Sequence, residues 1–132
     1  MTLFFEKLDS IAHRQLQSAR TGELYSQSAS ISELIGLKDV FVHHEIIAPG
    51  RRASAPHTHS EQEEMVFVLE GHPTAHLGDQ AVQLVPGGFI GFAPGAVDAH
   101  YVENQSEGEV RILVISPKIK TDKVRAAMPE GS

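Results

Sequence analysis

From Asp39 onward the chain is a succession of short apolar runs cut by turn residues, and this pattern constrains its fold more than any other feature. The runs cover residues 40–47, 65–69, 74–77, 81–85, 89–92, 100–103 and 110–115. Between them lie Ala48-Pro49-Gly50, Glu70-Gly71-His72-Pro73, Gly78-Asp79, Pro86-Gly87-Gly88 and Pro94-Gly95. These residues supply the fixed or positive φ angles that tight turns require. No helical periodicity joins the runs, so seven short strands at this spacing predict an all-β sandwich or barrel.

The flanks read differently. Asp9 or Ser10 could cap a short helix turning Ile11, Leu16 and Ala19 inward, although Gln15, Gln17 and Ser18 interrupt the pattern. Residues 1–38 are therefore expected as an N-terminal arm or lid, helical or extended, that packs on the barrel. Within it, Ser30 followed by Glu33 matches a capping box, which predicts a helical turn over residues 31–37 closed by Gly36. Residues 39–116 are the expected barrel. Residues 117–132, rich in Lys, Arg, Pro and Gly, are expected as a C-terminal tail or as a partner-dependent helix through Val124 and Met128.

At 132 residues, 41% hydrophobic and 21% charged, the chain suits one packed domain. A net charge of -6 argues against sequence-independent binding to nucleic acid or to an anionic membrane, which needs clustered cations. Arg51-Arg52 and the lysines of residues 118–123 are too few to reverse it. No cysteine is present, which excludes thiolate metal sites, iron–sulfur clusters, disulfides and cysteine nucleophiles. The first ten residues lack the basic start and apolar core of a signal peptide, and no run is long enough to span a bilayer, so a cytoplasmic location is expected.

Eight histidines in so small a chain raise the question of a metal. In His57-Thr58-His59 the two imidazoles project from one face if the segment is extended, and both can reach one ion. Glu64 follows five residues after His59, at the head of the next apolar run. A tight return through residues 60–63 would set the two strands side by side and add a carboxylate oxygen to two imidazole nitrogens, a set suited to Fe, Mn, Ni or Zn. Glu63 would point to the opposite face from Glu64, and alternation does not choose between them, because both faces of residues 65–69 are apolar.

The spacing resembles the cupin superfamily. That family's first motif is a glycine, five residues, His-x-His, three or four residues, Glu, six residues and a glycine. Here Gly50 and six residues lead to His57-Thr58-His59, then four residues to Glu64 and six to Gly71. The one extra residue after Gly50 falls in a loop, and the family spacing to Gly71 selects Glu64 over Glu63. The second motif, a glycine, five residues, Pro-x-Gly, two residues, His, three residues and Asn, is met by Gly88, Pro94, Gly95, His100 and Asn104, with Pro94 and Gly95 adjacent and four residues before His100. Counting from Gly95 would select Asp98, whereas the spacing to Asn104 selects His100.

The resemblance implies a double-stranded β-helix, the small jelly-roll barrel of cupins, holding one divalent metal (Fe, Mn, Ni or Zn) on His57, His59, Glu64 and His100. It also implies a homodimer, as in many relatives. Open positions on such a metal suit an enzyme acting on a small oxygen-rich molecule by oxidation, isomerisation, decarboxylation or lyase chemistry. The alternative is a non-catalytic module binding a sugar or organic acid. A polar group beside the open metal positions would favour the enzyme, and purely aliphatic walls the binding module. A DNA-linked regulatory half finds no support, since no helix-turn-helix candidate precedes the barrel.

Glu63, Asp98 and His44 are the candidate proton carriers. His43 and His44 lie on opposite faces of their strand, and either could line the cavity or be hydrogen-bonded at a sheet edge. His72 and His76 flank a turn and read as surface residues, and His13 belongs to the arm. Arg51 and Arg52 are expected in solvent, with anion binding as the sharper possibility.

Overall fold

All seven apolar runs become strands, and four further strands form from segments with little apolar character. A computed structural model describes residues 3–126. In chain order the strands are β1 Arg14–Gln17, β2 Leu24–Ser30, β3 Val40–Ile47, β4 His57–His59, β5 Glu64–Glu70, β6 Thr74–Leu77, β7 Gln80–Gln83, β8 Phe89–Phe92, β9 His100–Glu103, β10 Val110–Pro117 and β11 Val124–Ala126. They form two antiparallel sheets, one in the order β1-β2-β3-β10-β5-β8 and one in the order β11-β4-β9-β6-β7. Packed face to face, they make the expected jelly roll.

The capping box forms. Ser30 Oγ accepts from the Glu33 amide at 3.3 Å and starts helix α1, Ile31–Ile35, which Gly36 ends in the left-handed conformation at φ 75°. Of the two forms expected for the arm, helical or extended, the extended one forms around Ile11 and Leu16. The segment pairs as β1 against β2, and the Gln15 side-chain amide donates to the carbonyls of Leu16 and Tyr25. The reason lies in β2: it offers a free sheet edge, and the weak helical pattern of residues 11–19 cannot compete with its backbone hydrogen bonds. At the other end, Val124–Ala126 is a strand against β4 and not part of a helix, while Met128 lies outside the described residues.

The inward residues of β3, β5 and β9 run from a polar end to an apolar one, and those of β10 are apolar throughout. On β5 they are Glu64, Val66 and Val68; on β3, Glu45 and Ile47; on β9, His100 and Val102; on β10, Val114, Ile112 and Val110. Ile47, Val68, Val110 and Ile112 are wholly buried and join Val66, Ala75, Leu84, Phe92 and Val102 in one core. This settles the side chains of β5: Val66 and Val68 are 1% and 0% exposed, whereas Met65 and Leu69 are both 37% exposed. Glu64 therefore points into the barrel, and Glu63 is exposed outside.

One expectation fails. β4 and β5 are not neighbours: β4 pairs with β9 and β11, and β5 with β10 and β8. The turn of residues 60–63 carries the chain from one sheet to the other, so His57 and His59 meet Glu64 across the barrel. At the far end of β5, Gly71 has φ 84°, and a Cβ there would stand 2.5 Å from the Glu109 carbonyl oxygen. Both the backbone angle and the close approach require glycine at this motif position.

Candidate metal centre

Three strands bring four side chains to one point. β4 supplies His57 and His59, β5 supplies Glu64, and β9, which pairs His100 with His57, supplies the last imidazole. One ligating atom from each lies within 4.8 Å of the others. Glu64 Oε2 is 3.1 Å from His59 Nε2 and 3.8 Å from His57 Nε2, and Glu64 Oε1 is 3.4 Å from His100 Nε2. Phe92 backs the His100 ring in a parallel stack at 4.0 Å, which fixes its plane.

The outer nitrogens fix which atoms face inward. His57 Nδ1 lies 2.9 Å from the Ala55 carbonyl, an acceptor only, so this nitrogen carries the proton and donates. His59 Nδ1 donates likewise to Asp122 Oδ2 at 2.8 Å. Both Nε2 atoms are left for the centre. His100 Nε2 also faces it, buried and without a hydrogen-bond partner. A buried nitrogen left in that state is costly unless something binds it. Three imidazole nitrogens and one carboxylate fit Fe, Mn, Ni or Zn. The site can therefore hold such an ion.

The local electrostatics agree. Burial disfavours the charge on Glu64, yet the imidazoles of His100 and His57 outweigh it and hold this carboxyl well below the usual carboxylate range. Burial also opposes a charged His57, and Glu64 again outweighs it and raises the imidazole above its ordinary value. Without an ion, a proton on the inward nitrogen of His57 helps balance the Glu64 charge. An entering dication would replace it, so its uptake releases a proton.

The three candidate proton carriers do not reach this cluster. Glu63 is exposed on the outer face of the barrel, and Asp98 is exposed in the turn before β9, with its carboxyl packed against Gly78. His44 is buried, but on the other side of its sheet, where its Nδ1 lies 2.7 Å from His13 Nε2. Cross-strand register places His44 beside Leu113 and Glu45 beside the core residue Ile112. Arg52 is held by Glu23 through two 2.8 Å bonds and lies over the Tyr101 ring. His76 bonds Glu103 at 3.0 Å and stacks on Tyr101.

Two residues not singled out in the sequence belong to the site. Glu45 lines the cavity of about 240 Å³ that the four-residue cluster opens into, together with Leu16, Ser54, Val66, Ile112 and Val114. Burial raises its pKa to about 7, although Ser26 Oγ donates to it at 2.7 Å. Its position three residues before Ala48-Pro49-Gly50, in step with Ile47, was the available signal. Asp122 grips His59 from the segment expected to be a tail. Burial opposes its charge, but the bonds from His59 and from the Glu61 and Gln62 amides lower its pKa to about 2. No periodicity in the sequence points to it.

Comparison with known proteins agrees with this architecture. The family model of the cupin domain matches residues 43–116, more than half of the chain. A proposed sugar phosphate isomerase from Acidithiobacillus ferrooxidans superposes with a TM-score of 0.83 at 25% identity, over 95% of this chain and 80% of that one. A sugar phosphate isomerase of the cupin superfamily from Silicibacter pomeroyi gives 0.82 at 27% identity, over 92% and 80%. The polyketide cyclase RemF from Streptomyces resistomycificus shares the fold, with a TM-score of 0.77 at 19% identity over 98% and 89%. No curated protein matches the sequence.

Proposed function

This chain belongs to the cupin family, and from that premise we propose that it is a metal-dependent enzyme: His57, His59, Glu64 and His100 hold one divalent ion, and a small oxygen-rich substrate binds beside it. The observation that carries this reading is the shared cavity, which four convergent donors and one protonatable carboxyl, Glu45, line together. A bound Fe, Mn, Ni or Zn would supply Lewis acidity there, and iron would add redox chemistry.

The chain's own groups define the rest. The described residues lining the cavity include neither Lys nor Arg, so the positive charge offered to an anionic substrate is that of the centre itself. This favours molecules whose oxygens chelate, such as hydroxy acids, keto acids and diols. Leu16, Val66, Ile112 and Val114 exclude water from the carbon skeleton. Glu45, whose pKa burial raises to about 7 in the metal-free protein, can hold or return the proton that a substrate carbon or oxygen exchanges. Ser26 Oγ fixes the direction of that carboxyl. Oxidation, isomerisation, decarboxylation and lyase chemistry would all use these parts.

The aliphatic walls favour a second reading, a barrel that only binds a sugar or organic acid. Glu45 weighs against it, since an unused carboxyl buried in that wall costs stability. The test begins with elemental analysis of protein purified without chelator or metal-affinity tag. About one equivalent of Fe, Mn, Ni or Zn is expected, and iron directs the search to oxygen consumption. No metal on isolation, followed by no uptake of Fe(II), Mn(II), Ni(II) or Zn(II), would remove the enzyme reading and leave the binding module.

A further inference from the structure

Three of the four donors lie within residues 57–64, so the turn joining β4 to β5 sets most of the geometry of the centre. That turn does not hold itself. Its hydrogen-bonding groups are taken up by residues 119–126, which return from the end of β10 and lie along it. Asp122 Oδ1 accepts from the Glu61 amide at 2.8 Å and from the Gln62 amide at 2.9 Å. The Ile119 amide donates to Gln62 Oε1 at 3.1 Å, and the Lys123 amide to Ser60 Oγ at 2.7 Å. Thr121 Oγ1 bonds Glu61 Oε2, and the Ser60 amide donates back to the Lys123 carbonyl. β11 then pairs Val124 with His59 and Ala126 with His57.

The attachment is polar. Val124, Arg125 and Ala126 are exposed, so little apolar burial holds the segment and its docking rests on these hydrogen bonds. Among the side chains making them, that of Asp122 is 5% exposed, and its second oxygen accepts the hydrogen bond from His59 Nδ1–H. That bond and the coordination of His59 are two uses of one ring. A proton held on Nδ1 keeps the lone pair on Nε2, and an ion on Nε2 polarises the ring and makes Nδ1–H a stronger donor. By linkage, whatever docking adds to ion affinity, ion binding adds to docking.

We propose that residues 119–126 are a latch and that Asp122 is the positioning residue for His59, so that latch docking and metal occupancy reinforce each other. This rests on the reading that the four-residue cluster holds a metal.

The Asp122→Asn variant separates the two roles of the side chain. Its carbonyl oxygen can still accept from the Glu61 and Gln62 amides, which preserves the turn, while its amide would donate to His59 Nδ1 and drive the ring proton onto Nε2. The experiment uses the full chain, with Zn(II) and Fe(II) as probes. Wild type is expected to take up one equivalent. Asp122→Asn should melt within a few degrees of wild type but bind about 10–100-fold more weakly. Ring-nitrogen NMR of the metal-free proteins should place the His59 proton on Nδ1 in wild type and on Nε2 in the variant. Amides of residues 119–126 should exchange more slowly in the metal-loaded wild type than in the metal-free protein.

Should Asp122→Asn fold poorly, Ser60→Ala, which removes the acceptor for the Lys123 amide and a long 3.5 Å bond to Asp122 Oδ1 but leaves the Asp122–His59 bond in place, is expected to speed exchange across residues 119–126 and weaken binding in the same direction. Variants that bind within twofold of wild type, an unchanged His59 tautomer, or exchange in residues 119–126 that ignores the metal would each overturn the latch. A wild type that takes up no metal removes the reading beneath it, and the tautomer comparison then still decides whether Asp122 positions His59.

Discussion

Two buried imidazole nitrogens lack a hydrogen-bond partner among the described residues, His100 Nε2 and His44 Nε2, and they stand on opposite sides of the six-stranded sheet. The first faces a carboxylate and two further imidazoles inside the barrel. The second lies beneath the N-terminal arm, where His13 meets the other nitrogen of the same ring at 2.7 Å. Burial is common to both. Convergence is not: on the inner side several donors point at one space, whereas on the outer side His44 meets one imidazole, that of His13 on the arm. A buried histidine becomes a candidate ligand through its neighbours and not through its environment alone.

The largest test of this difference is metal content. His57→Ala or His100→Ala should abolish stoichiometric uptake, because each removes one of four convergent donors. His13→Ala, which disturbs only the outer pair, should retain it, as should His72→Ala at a surface turn. Metal analysis of the purified variants decides the matter. Metal retained by His100→Ala and lost by Asp98→Ala would move the last ligand to the exposed turn and break the comparison.

The sequence revealed the inner side better than the outer one, and the reason is physical. β3, β5, β8, β9 and β10 announce themselves because their inward residues become apolar toward the core, and Pro or Gly marks several of their ends. The four donors stand out through spacing around those same turns. β2 does not, because its inward positions include Ser26, which bonds Glu45 and gives no apolar alternation. With that strand hidden, the arm over the outer face was hidden too. Either face of residues 40–47 could then have lined the cavity, and the sequence did not choose between His43 and His44. Asp122 escaped for a related reason: β11 is held by backbone pairing and polar side chains, which leave no hydrophobic pattern to read.

Glu45 offers the next contrast, through pH. Its folded pKa, about 7, lies above the ordinary glutamate value, so the native state favours the protonated form. Stability is therefore highest below the unfolded value near 4.5 and falls as pH rises through 7. A shift of this size corresponds to about 3 kcal/mol across that window. Glu45→Gln, which keeps the shape and has no proton to lose, should flatten this part of the profile in chemical denaturation of the metal-free protein. Loading the centre sharpens the comparison, since a dication nearby favours the carboxylate and should move the wild-type window to lower pH. A wild-type profile as flat as that of the variant would mean that Glu45 is ionised at little cost and is no proton reservoir.

His44 should show the opposite sign and the smallest effect. Burial first, and His13 second, lower its pKa to about 4, so the native state favours the neutral ring. Its contribution is complete above the ordinary value near 6.5 and is lost as pH falls from there through 4. The loss need not reach the barrel. His13 sits on an arm with few buried apolar contacts, and releasing the arm lets water reach both rings, so the cost is that of undocking residues 11–17, with Leu16 at the cavity wall among them. Hydrogen exchange between pH 6.5 and 4.5 should thus show amides of β1 losing protection while those of β5 and β10 keep theirs. In His44→Asn, whose amide can still donate to His13 but does not titrate, the acid response of β1 should shrink. If β1 and the barrel strands open together in acid, the outer pair is part of the same cooperative unit as the metal centre, and the contrast between the two sides of the sheet does not extend to their stability.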